Sequence, residues 1–249
     1  MINFIFFDIG NVILNDDPAM ALVYQMTYQS IRAHNIEITF EDLLREREKL
    51  ILNEHDGNHH QVLGIKYLGK KYARERKRQH RILFANWSRY APLIPGIVPV
   101  IRELSSRYRL GLLANQPPQA LDVLEEHHLL QYFEVRGISS LVGLMKPDPQ
   151  FFQWALKEAN CQPQETIMVG DRLDNDIAPA KALGMKTLWL SLTWRQKSYQ
   201  PAEDYEKLYF QSLERASMAL LPPRNELEQP DCKAVTFEDI LVGIERITK

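Results

Sequence analysis

The chain has few cysteines, no long apolar run and almost no net charge, and each shortage argues against a class of protein. Its 249 residues include two cysteines, Cys161 and Cys232, far apart and outside any CxxC pattern. A disulfide framework or a thiolate metal site is therefore not expected. No run approaches the roughly 18 apolar residues that span a bilayer. Thirty basic and 32 acidic side chains give a formal charge of −2, which points neither to nucleic acid nor to an anionic membrane.

The N-terminal apolar stretch also lacks the features of a secretion signal. It has no basic flank and no small-residue cleavage site, and Asp8 interrupts it. With 45% hydrophobic and 25% charged residues, the composition is that of an ordinary globular protein. We therefore expect a cytoplasmic monomer or homodimer whose partner is a small polar ligand, and we expect neither nucleic acid nor membrane as a partner.

Short apolar runs alternate with helical patterns along the chain. The runs that predict strands are 4–7 (FIFF), 110–114 (LGLLA), 133–138 (FEVRGI), 166–170 (TIMVG), 186–192 (KTLWLSL) and a weaker 234–237 (AVTF). Runs of this length are typical of strands buried on both faces of a parallel sheet. Helical patterns lie between them at 96–107, 118–130, 149–160 and 174–184. The alternation predicts an α/β fold with a doubly wound parallel sheet.

Two segments interrupt this alternation. Residues 16–92 contain long amphipathic, charge-rich stretches, which predict an α-helical cap inserted after the first strand. The α/β core would then consist of residues 1–15 and 93–249. The second segment, 195–230, holds a helical pattern at 203–220, and the sequence leaves its role open.

Polar residues follow four of the predicted strands. They are Asp8, Asn115, Lys146 and Asp171, and Asp176 lies five positions after the last. Because the carboxyl ends of parallel strands share one edge of the sheet, these side chains should converge. Three clustered carboxylates are unfavourable unless a cation neutralises them. Carboxylate oxygens together with a substrate phosphate are typical ligands of Mg²⁺, so the sequence predicts a magnesium site.

Three motifs in this order and spacing resemble those of the haloacid dehalogenase superfamily of phosphohydrolases. They are FFDIGNV at 6–12, KPDP at 146–149 and VGDRLDNDIAPAKALGM at 169–185. The resemblance covers nearly the whole chain. It implies a Mg²⁺-dependent phosphohydrolase of small phosphorylated metabolites, with a helical cap that closes over the site. Asp8 would attack the phosphoryl group and form an aspartyl-phosphate that water hydrolyses.

The resemblance also gives the surrounding residues their expected roles. Lys146 would balance the negative charge around Asp8 and the transferring phosphoryl oxygens. The expected metal ligands are Asp8, Asp171, Asp176 and the backbone carbonyl of Gly10. The expected phosphate-binding groups are the backbone amides of Ile9, Gly10 and Asn11, together with Asn115.

Two positions depart from the pattern of the superfamily. Gly10 stands where most of the resembling phosphatases carry a second aspartate, and Ala114 stands where they carry Ser or Thr. A general acid–base group typically contributes about 10²–10⁴-fold in rate, so its loss predicts a slow enzyme or one restricted to good leaving groups. Asp16 or Asp17 could replace the missing aspartate. The simpler interpretation, which we favour, is that both cap the helix that follows.

Two other functions stay open at this stage. Gly10 and Ala114 are compatible with a catalytically weak or inactive phosphate- or metabolite-binding protein of the same fold. A metal-independent 2-haloacid dehalogenase would also use an aspartate nucleophile, although the Asp171 and Asp176 pair argues against it.

Overall fold

A six-stranded parallel sheet forms the centre of the molecule, which the computed structural model describes over residues 1–54 and 57–249. The strands are β1 (Phe4–Phe7), β2 (Arg109–Ala114), β3 (Phe133–Ile138), β4 (Thr166–Gly170), β5 (Lys186–Leu190) and β6 (Cys232–Ala234). Their order across the sheet is β3-β2-β1-β4-β5-β6. Phe4 is in register with Arg109 on one side and with Thr166 on the other, so β1 lies between β2 and β4. The predicted α/β fold with a doubly wound parallel sheet is confirmed.

Twelve α-helices lie in the two described ranges. They are α1 (Asp17–Ala33), α2 (Phe40–Lys49), α3 (His59–Leu68), α4 (Tyr72–Phe84), α5 (Trp87–Tyr90), α6 (Ile97–Ser105), α7 (Gln119–Glu126), α8 (Ser139–Val142), α9 (Pro149–Ala159), α10 (Ala178–Ala182), α11 (Asp204–Arg215) and α12 (Glu238–Thr248). A π-helical turn, Leu173–Ile177, precedes α10. None of the described helices combines the length and apolarity needed to cross a bilayer.

Alternate side chains of β1 face opposite sides of the sheet. Ile5 and Phe7 belong to an apolar cluster that includes residues of α6, α7 and α12. Phe4 and Phe6 belong to a second cluster with residues of α9 and α10. Because both faces of β1 are covered, its four residues are buried without exception, as the continuous apolar run predicts.

A third apolar cluster forms the helical layer beside the sheet. It joins residues of α1, α2 and α3 to residues of α11, among them Tyr24, Leu43, Leu63, Tyr209 and Phe210. The ring centroids of Tyr24 and Tyr209 are 5.6 Å apart. Part of the unassigned segment 195–230 therefore packs against the helices that follow β1. The division of the chain into a core (1–15 and 93–249) and a cap (16–92) stays a prediction, and residues 55 and 56 of that cap lie outside the described ranges.

The prediction of a strand over 234–237 was wrong in its extent. Only Ala234 of this run is in β6. The backbone amides of Val235 and Thr236 donate to Asp239 Oδ2 at 3.0 and 2.9 Å, and the Asp239 amide donates to Thr236 Oγ1. These bonds fix the entry into α12, so capping of the helix takes the residues that would have extended the strand.

Candidate active site

Four of the predicted site residues meet at the carboxyl edge of the sheet, where the chain leaves β1 and β4. Lys146 Nζ lies 2.8 Å from Asp8 Oδ1 and 2.5 Å from Asp176 Oδ1. The other oxygen of Asp176 accepts the backbone N–H of Arg172 at 3.0 Å. The Lys146 side chain is completely buried. The lysine therefore links the carboxylate that follows β1 to one that follows β4.

Asp8, Asp171 and Asp176 form a buried carboxylate cluster. Each offers an oxygen, and these oxygens lie within 4.8 Å of one another. Burial raises the pKa of Asp171 well above its ordinary value, and the charges of Asp176 and Asp8 raise it further. Burial also raises the pKa of Asp176 to about 6, against the opposing effect of Lys146. Burial alone would lower the pKa of Lys146, but the Asp176 and Asp8 carboxylates outweigh it and raise this pKa.

The donor set of this cluster fits a hard divalent cation. Three close carboxylates face one lysine, so their full ionisation would leave negative charge uncompensated, and oxygen donors are those that Mg²⁺ prefers. Across residues 1–54 and 57–249, this is the one group of three His, Cys, Asp or Glu side chains with ligand atoms close enough to share a metal ion. The residues predicted from the strand ends thus come together where a cation would bind.

The side chain of Asn115 holds the backbone of Lys146. Asn115 Nδ2 donates to the Lys146 carbonyl at 2.8 Å, and the Lys146 amide donates to Asn115 Oδ1 at 2.8 Å. Asn115 follows β2, so this pair of bonds fixes Lys146 relative to that strand. The predicted phosphate contact of Asn115 stays a prediction, and both polar atoms of its side chain are engaged in this structure.

The turn after β1 leaves two backbone amides available for an anion. The Asp8 amide donates to Val169 at 2.9 Å, and the Asn11 amide donates to Leu14 at 2.6 Å. Asn11 has φ +57°, a left-handed conformation that asparagine tolerates better than most residues. In the described part of the chain, the amides of Ile9 and Gly10 donate to no backbone or side-chain acceptor. Phosphate binding by Ile9, Gly10 and Asn11 stays a prediction, and Asn11 would have to exchange its present bond.

Asp16 occupies the space beside Gly10. A Cβ atom placed on Gly10 would lie 2.5 Å from Asp16 Oδ2 and 3.0 Å from Gln116 Nε2. Gln116 Nε2 donates to Asp16 Oδ2 at 2.6 Å. Asp16 Oδ1 is shielded from solvent and has no hydrogen-bond partner among residues 1–54 and 57–249. Asp16 does occupy the N-cap position of α1, as the capping interpretation expects, but its carboxylate makes no capping bond and accepts from Gln116 instead.

The surroundings of Asp16 favour its protonated form. Burial raises its pKa from 3.8 to about 7. The hydrogen bond from Gln116 opposes this rise, whereas the nearby charges of Asp8 and Asp17 add to it. Asp16 is thus a carboxyl group that holds a proton more tightly than an exposed aspartate.

Lys197 lies in the same region, although the sequence motifs predict no role for it. Its Nζ lies 2.7 Å from Asp17 Oδ2 and 2.8 Å from Asn11 Oδ1. Lys197 and Asp17 are both buried. Asp17 is therefore half of an ion pair that joins the start of α1 to the turn Trp194–Lys197. No motif marks Lys197, which lies two positions after Arg195 in the unassigned segment.

Two cavities adjoin at Asp16. The first, of about 260 Å³, is lined by Asp8, Asp171 and Asp16 and reaches Arg47 of α2. The second, of about 450 Å³, is lined by Asp16 and Gln116 and by apolar residues of α1, α4 and α5: Ala19, Met20, Val23, Leu83, Phe84 and Trp87. Asp16 therefore stands between the carboxylate cluster and an apolar space large enough for part of a small organic molecule.

The far wall of the first cavity is built by the helical layer. Arg47 is buried, donates from Nη1 to Ser212 Oγ at 3.1 Å and to the Ala216 carbonyl at 3.0 Å, and lies 5.1 Å from the centre of the Tyr209 ring. The Tyr24 hydroxyl and His59 Nδ1 are 2.7 Å apart. Burial lowers the pKa of His59 well below its ordinary value, with the Arg47 charge adding to the effect, so this imidazole is neutral.

Comparison with known proteins gives matches of sequence and of structure. A family model described as haloacid dehalogenase-like hydrolase matches residues 2–184. The glyceraldehyde 3-phosphate phosphatase of Pyrococcus abyssi is 32% identical over 200 residues, covering 76% of this chain and 81% of that protein. The glyceraldehyde 3-phosphate phosphatase of Methanopyrus kandleri is 27% identical over 265 aligned positions, covering 100% of both chains. YfnB from Bacillus subtilis, solved bound to magnesium, has a TM-score of 0.61 and 17% identity, covering 98% of this chain and 99% of that one. The likeness to YfnB is one of fold.

Proposed function

Because the chain belongs to the haloacid dehalogenase-like hydrolases, we propose that it is a Mg²⁺-dependent phosphatase that transfers the phosphoryl group of a small phosphorylated metabolite to Asp8 and then to water. The observation that carries the proposal is the cluster of Asp8, Asp171 and Asp176, whose oxygens lie within 4.8 Å of one another. Lys146 contacts two of the three. The two phosphatases compared above support a phosphoric monoester as the substrate class.

Each residue of the cluster has a part in this reaction. Asp8 is the nucleophile, and Lys146 holds one of its oxygens at 2.8 Å, which keeps the carboxylate oriented. The backbone amides of Ile9 and Gly10 donate hydrogen bonds to the phosphoryl oxygens and so form an anion-binding turn. Asp8, Asp171 and Asp176 would hold Mg²⁺, and the Gly10 carbonyl is the predicted fourth ligand. When bound, the ion neutralises the phosphate charge and stabilises the oxygens that gain charge during transfer.

The helical layer that covers the cluster serves the same reaction. Arg47 and Tyr209 close the first cavity, and the apolar side chains of α1 and α4 line the second. These walls exclude water from Asp8 while the ester is attacked, and their shape selects the organic part of the substrate. A small metabolite fits the combined space better than a macromolecular substrate does.

The proposal is tested by assaying the purified protein against phosphate monoesters, with p-nitrophenyl phosphate as the activated member of the set. We expect turnover that requires Mg²⁺ and that Asp8→Asn lowers by at least 10³-fold, because the nucleophile is lost. Asp122→Asn, which alters an exposed carboxylate on α7, is the control and should retain activity.

The two alternative functions give different results in the same assay. A metabolite-binding protein would turn over no ester, including the activated one, with or without Mg²⁺. A 2-haloacid dehalogenase would release halide from a 2-haloacid without metal. Either result would contradict the proposal.

A further inference from the structure

We propose that Asp16 is the proton donor and acceptor of the reaction, so that the group missing at position 10 is supplied from six residues further along the chain. This inference rests on the proposed phosphatase function. It concerns the leaving group of the ester and the attacking water, which the carboxylate cluster around Lys146 does not serve.

The first support is that Asp16 and residue 10 compete for one space. The 2.5 Å between Asp16 Oδ2 and a Cβ on Gly10 is shorter than any van der Waals contact, so a side chain at position 10 excludes Asp16 from its present place. Glycine at position 10 thus has a structural consequence beyond the loss of a carboxylate. It admits another carboxylate to the space into which a side chain at position 10 would project.

The second support is that one oxygen of the Asp16 carboxylate is fixed by a hydrogen bond and the other is available. Gln116 Nε2 binds Oδ2 at 2.6 Å, and the Asp16 backbone amide donates to Asn11 Oδ1 at 3.2 Å. Oδ1 is buried, and no hydrogen-bond partner for it lies in the part of the chain that the structure describes. A buried oxygen without a partner is unfavourable in a resting protein, and it is what a group needs to exchange a proton with a substrate.

The third support is the location of Asp16 between the two cavities. It lines the cavity of Asp8 and also the adjoining apolar cavity. Consider an ester whose phosphoryl group contacts Asp8 and whose organic part lies in the apolar cavity. Its bridging oxygen would lie beside Asp16. Asp17, the neighbouring candidate, is already paired with Lys197 at 2.7 Å, so it is not available for this role.

The proton transfers balance over the two half-reactions. As the bond between phosphorus and the ester oxygen breaks, the protonated Asp16 gives its proton to that oxygen and the alcohol leaves, while Asp8 carries the phosphoryl group. Water then attacks phosphorus, and the Asp16 carboxylate takes a proton from that water. The bond from phosphorus to Asp8 breaks, inorganic phosphate forms, and Asp16 regains its proton with Asp8 free.

The experiment compares Asp16→Asn with the wild type on esters of different leaving groups. p-Nitrophenolate leaves without a proton, whereas an alkoxide such as that of glycerol 3-phosphate needs one. We expect the rate constant of the pre-steady-state burst with p-nitrophenyl phosphate, which isolates transfer to Asp8, to change by less than about 5-fold. We expect kcat/KM for glycerol 3-phosphate to fall by about 10²–10⁴-fold.

A relocated carboxylate provides the rescue. Gly10→Asp alone collides with Asp16 and should lower activity, whereas Gly10→Asp combined with Asp16→Ala frees the space for the new side chain. We expect the double variant to hydrolyse glycerol 3-phosphate at least 10-fold faster than Asp16→Ala. Asp17→Asn is the matched control: it removes the adjacent carboxylate and should affect the two esters to the same extent.

Three results would overturn the inference. Equal losses on both esters in Asp16→Asn would assign Asp16 a structural role, and unchanged rates on both would assign the proton transfers to another group. If the wild type shows no Asp8-dependent turnover of p-nitrophenyl phosphate, the proposed function fails and this inference fails with it. That result is distinct, because it appears before any Asp16 variant is assayed.

Discussion

At the scale of single residues, Gly10, Asp16 and Gln116 act as one unit. Gly10 leaves room for the Asp16 carboxylate, and Gln116 fixes that carboxylate through one oxygen. A substitution at any of the three therefore changes the surroundings of the other two. Because the effects share one space, we expect them to be strongly non-additive.

The raised pKa of Asp16 predicts a pH-dependent stability. Since this pKa rises from 3.8 to about 7 on folding, the folded state binds more protons than the unfolded state between these values. The contribution of Asp16 to stability is therefore present below pH 4 and is lost as the pH rises to 7. Relative to wild type, metal-free Asp16→Asn should gain stability across this range, by at most about 4 kcal/mol. Urea denaturation from pH 4 to pH 8 measures the difference.

The control for this experiment is Asp122→Asn, because the carboxylate of Asp122 is exposed and folding changes its surroundings little. Its stability difference from wild type should stay constant over the same pH range. A constant difference for Asp16→Asn as well would contradict the raised pKa.

The residues that sequence predicts and those it misses differ in what positions them. Asp8 and Asp171 follow buried strands directly, so the parallel sheet brings them to one edge. Lys146 follows β3 after the short helix α8 and is held at the same edge by Asn115. Asp16 depends on the turn at Asn11, whose left-handed backbone directs the chain back past Gly10. Nothing in the local pattern gives that direction, and helix capping was the more ordinary interpretation of an aspartate before proline.

At the scale of secondary-structure elements, the ion pair between Lys197 and Asp17 connects the turn after β5 to the start of α1. A buried ion pair is a weak source of stability in itself, but removing one partner leaves an uncompensated buried charge. The pair also includes Asn11, which contacts Lys197 Nζ at 2.8 Å. The segment 195–230 thus supports the turn that follows Asp8.

We expect Lys197→Met to destabilise the protein by about 3–5 kcal/mol, because Asp17 would be buried without its cation. Combining it with Asp17→Leu should recover a large part of this loss, since no charge would remain buried. A double-mutant cycle in urea denaturation measures both effects. Lys207→Met breaks the exposed pair with Asp204 and should change stability by less than about 1 kcal/mol. Equal losses for Lys197→Met and Lys207→Met would contradict the structural role of Lys197.

Strands were predictable where burial dominates and less so where capping competes. β1 and β4 coincide with their apolar runs because both faces of the sheet are covered there. At the edge of the sheet the strand predicted over 234–237 ends at Ala234, because the amides that would extend it donate to Asp239. The role of α11 was unpredictable for another reason, since a partner such as Arg47 lies 165 residues before Ser212 in the chain.

At the scale of the whole molecule, the carboxylate cluster predicts that Mg²⁺ stabilises the fold. An ion that binds the native state alone adds about 2.7 kcal/mol at one hundred times its dissociation constant. For a chain of this length that is a rise in melting temperature of about 5–10 °C. Differential scanning calorimetry with EDTA and with Mg²⁺ measures it, and EDTA should also abolish phosphatase activity.

Asp171→Asn separates metal binding from general effects of ionic strength. It should lose the Mg²⁺-dependent rise and be more stable than wild type in EDTA, because one charge of a repulsive buried cluster is gone. Asp122→Asn should keep the full rise. A rise of the same size in Asp171→Asn would show that Mg²⁺ does not act through this cluster.

The central place of β1 has a consequence for how the site comes into being. β1 precedes both of its neighbours along the chain, and its register partners in β2 and β4 begin at Arg109 and Thr166. During synthesis both edges of β1, the strand that ends just before Asp8, can therefore be paired only after β4 has left the ribosome. Such distant pairing is slow to form, so we infer that Asp8 is among the last parts of the molecule to reach its final position.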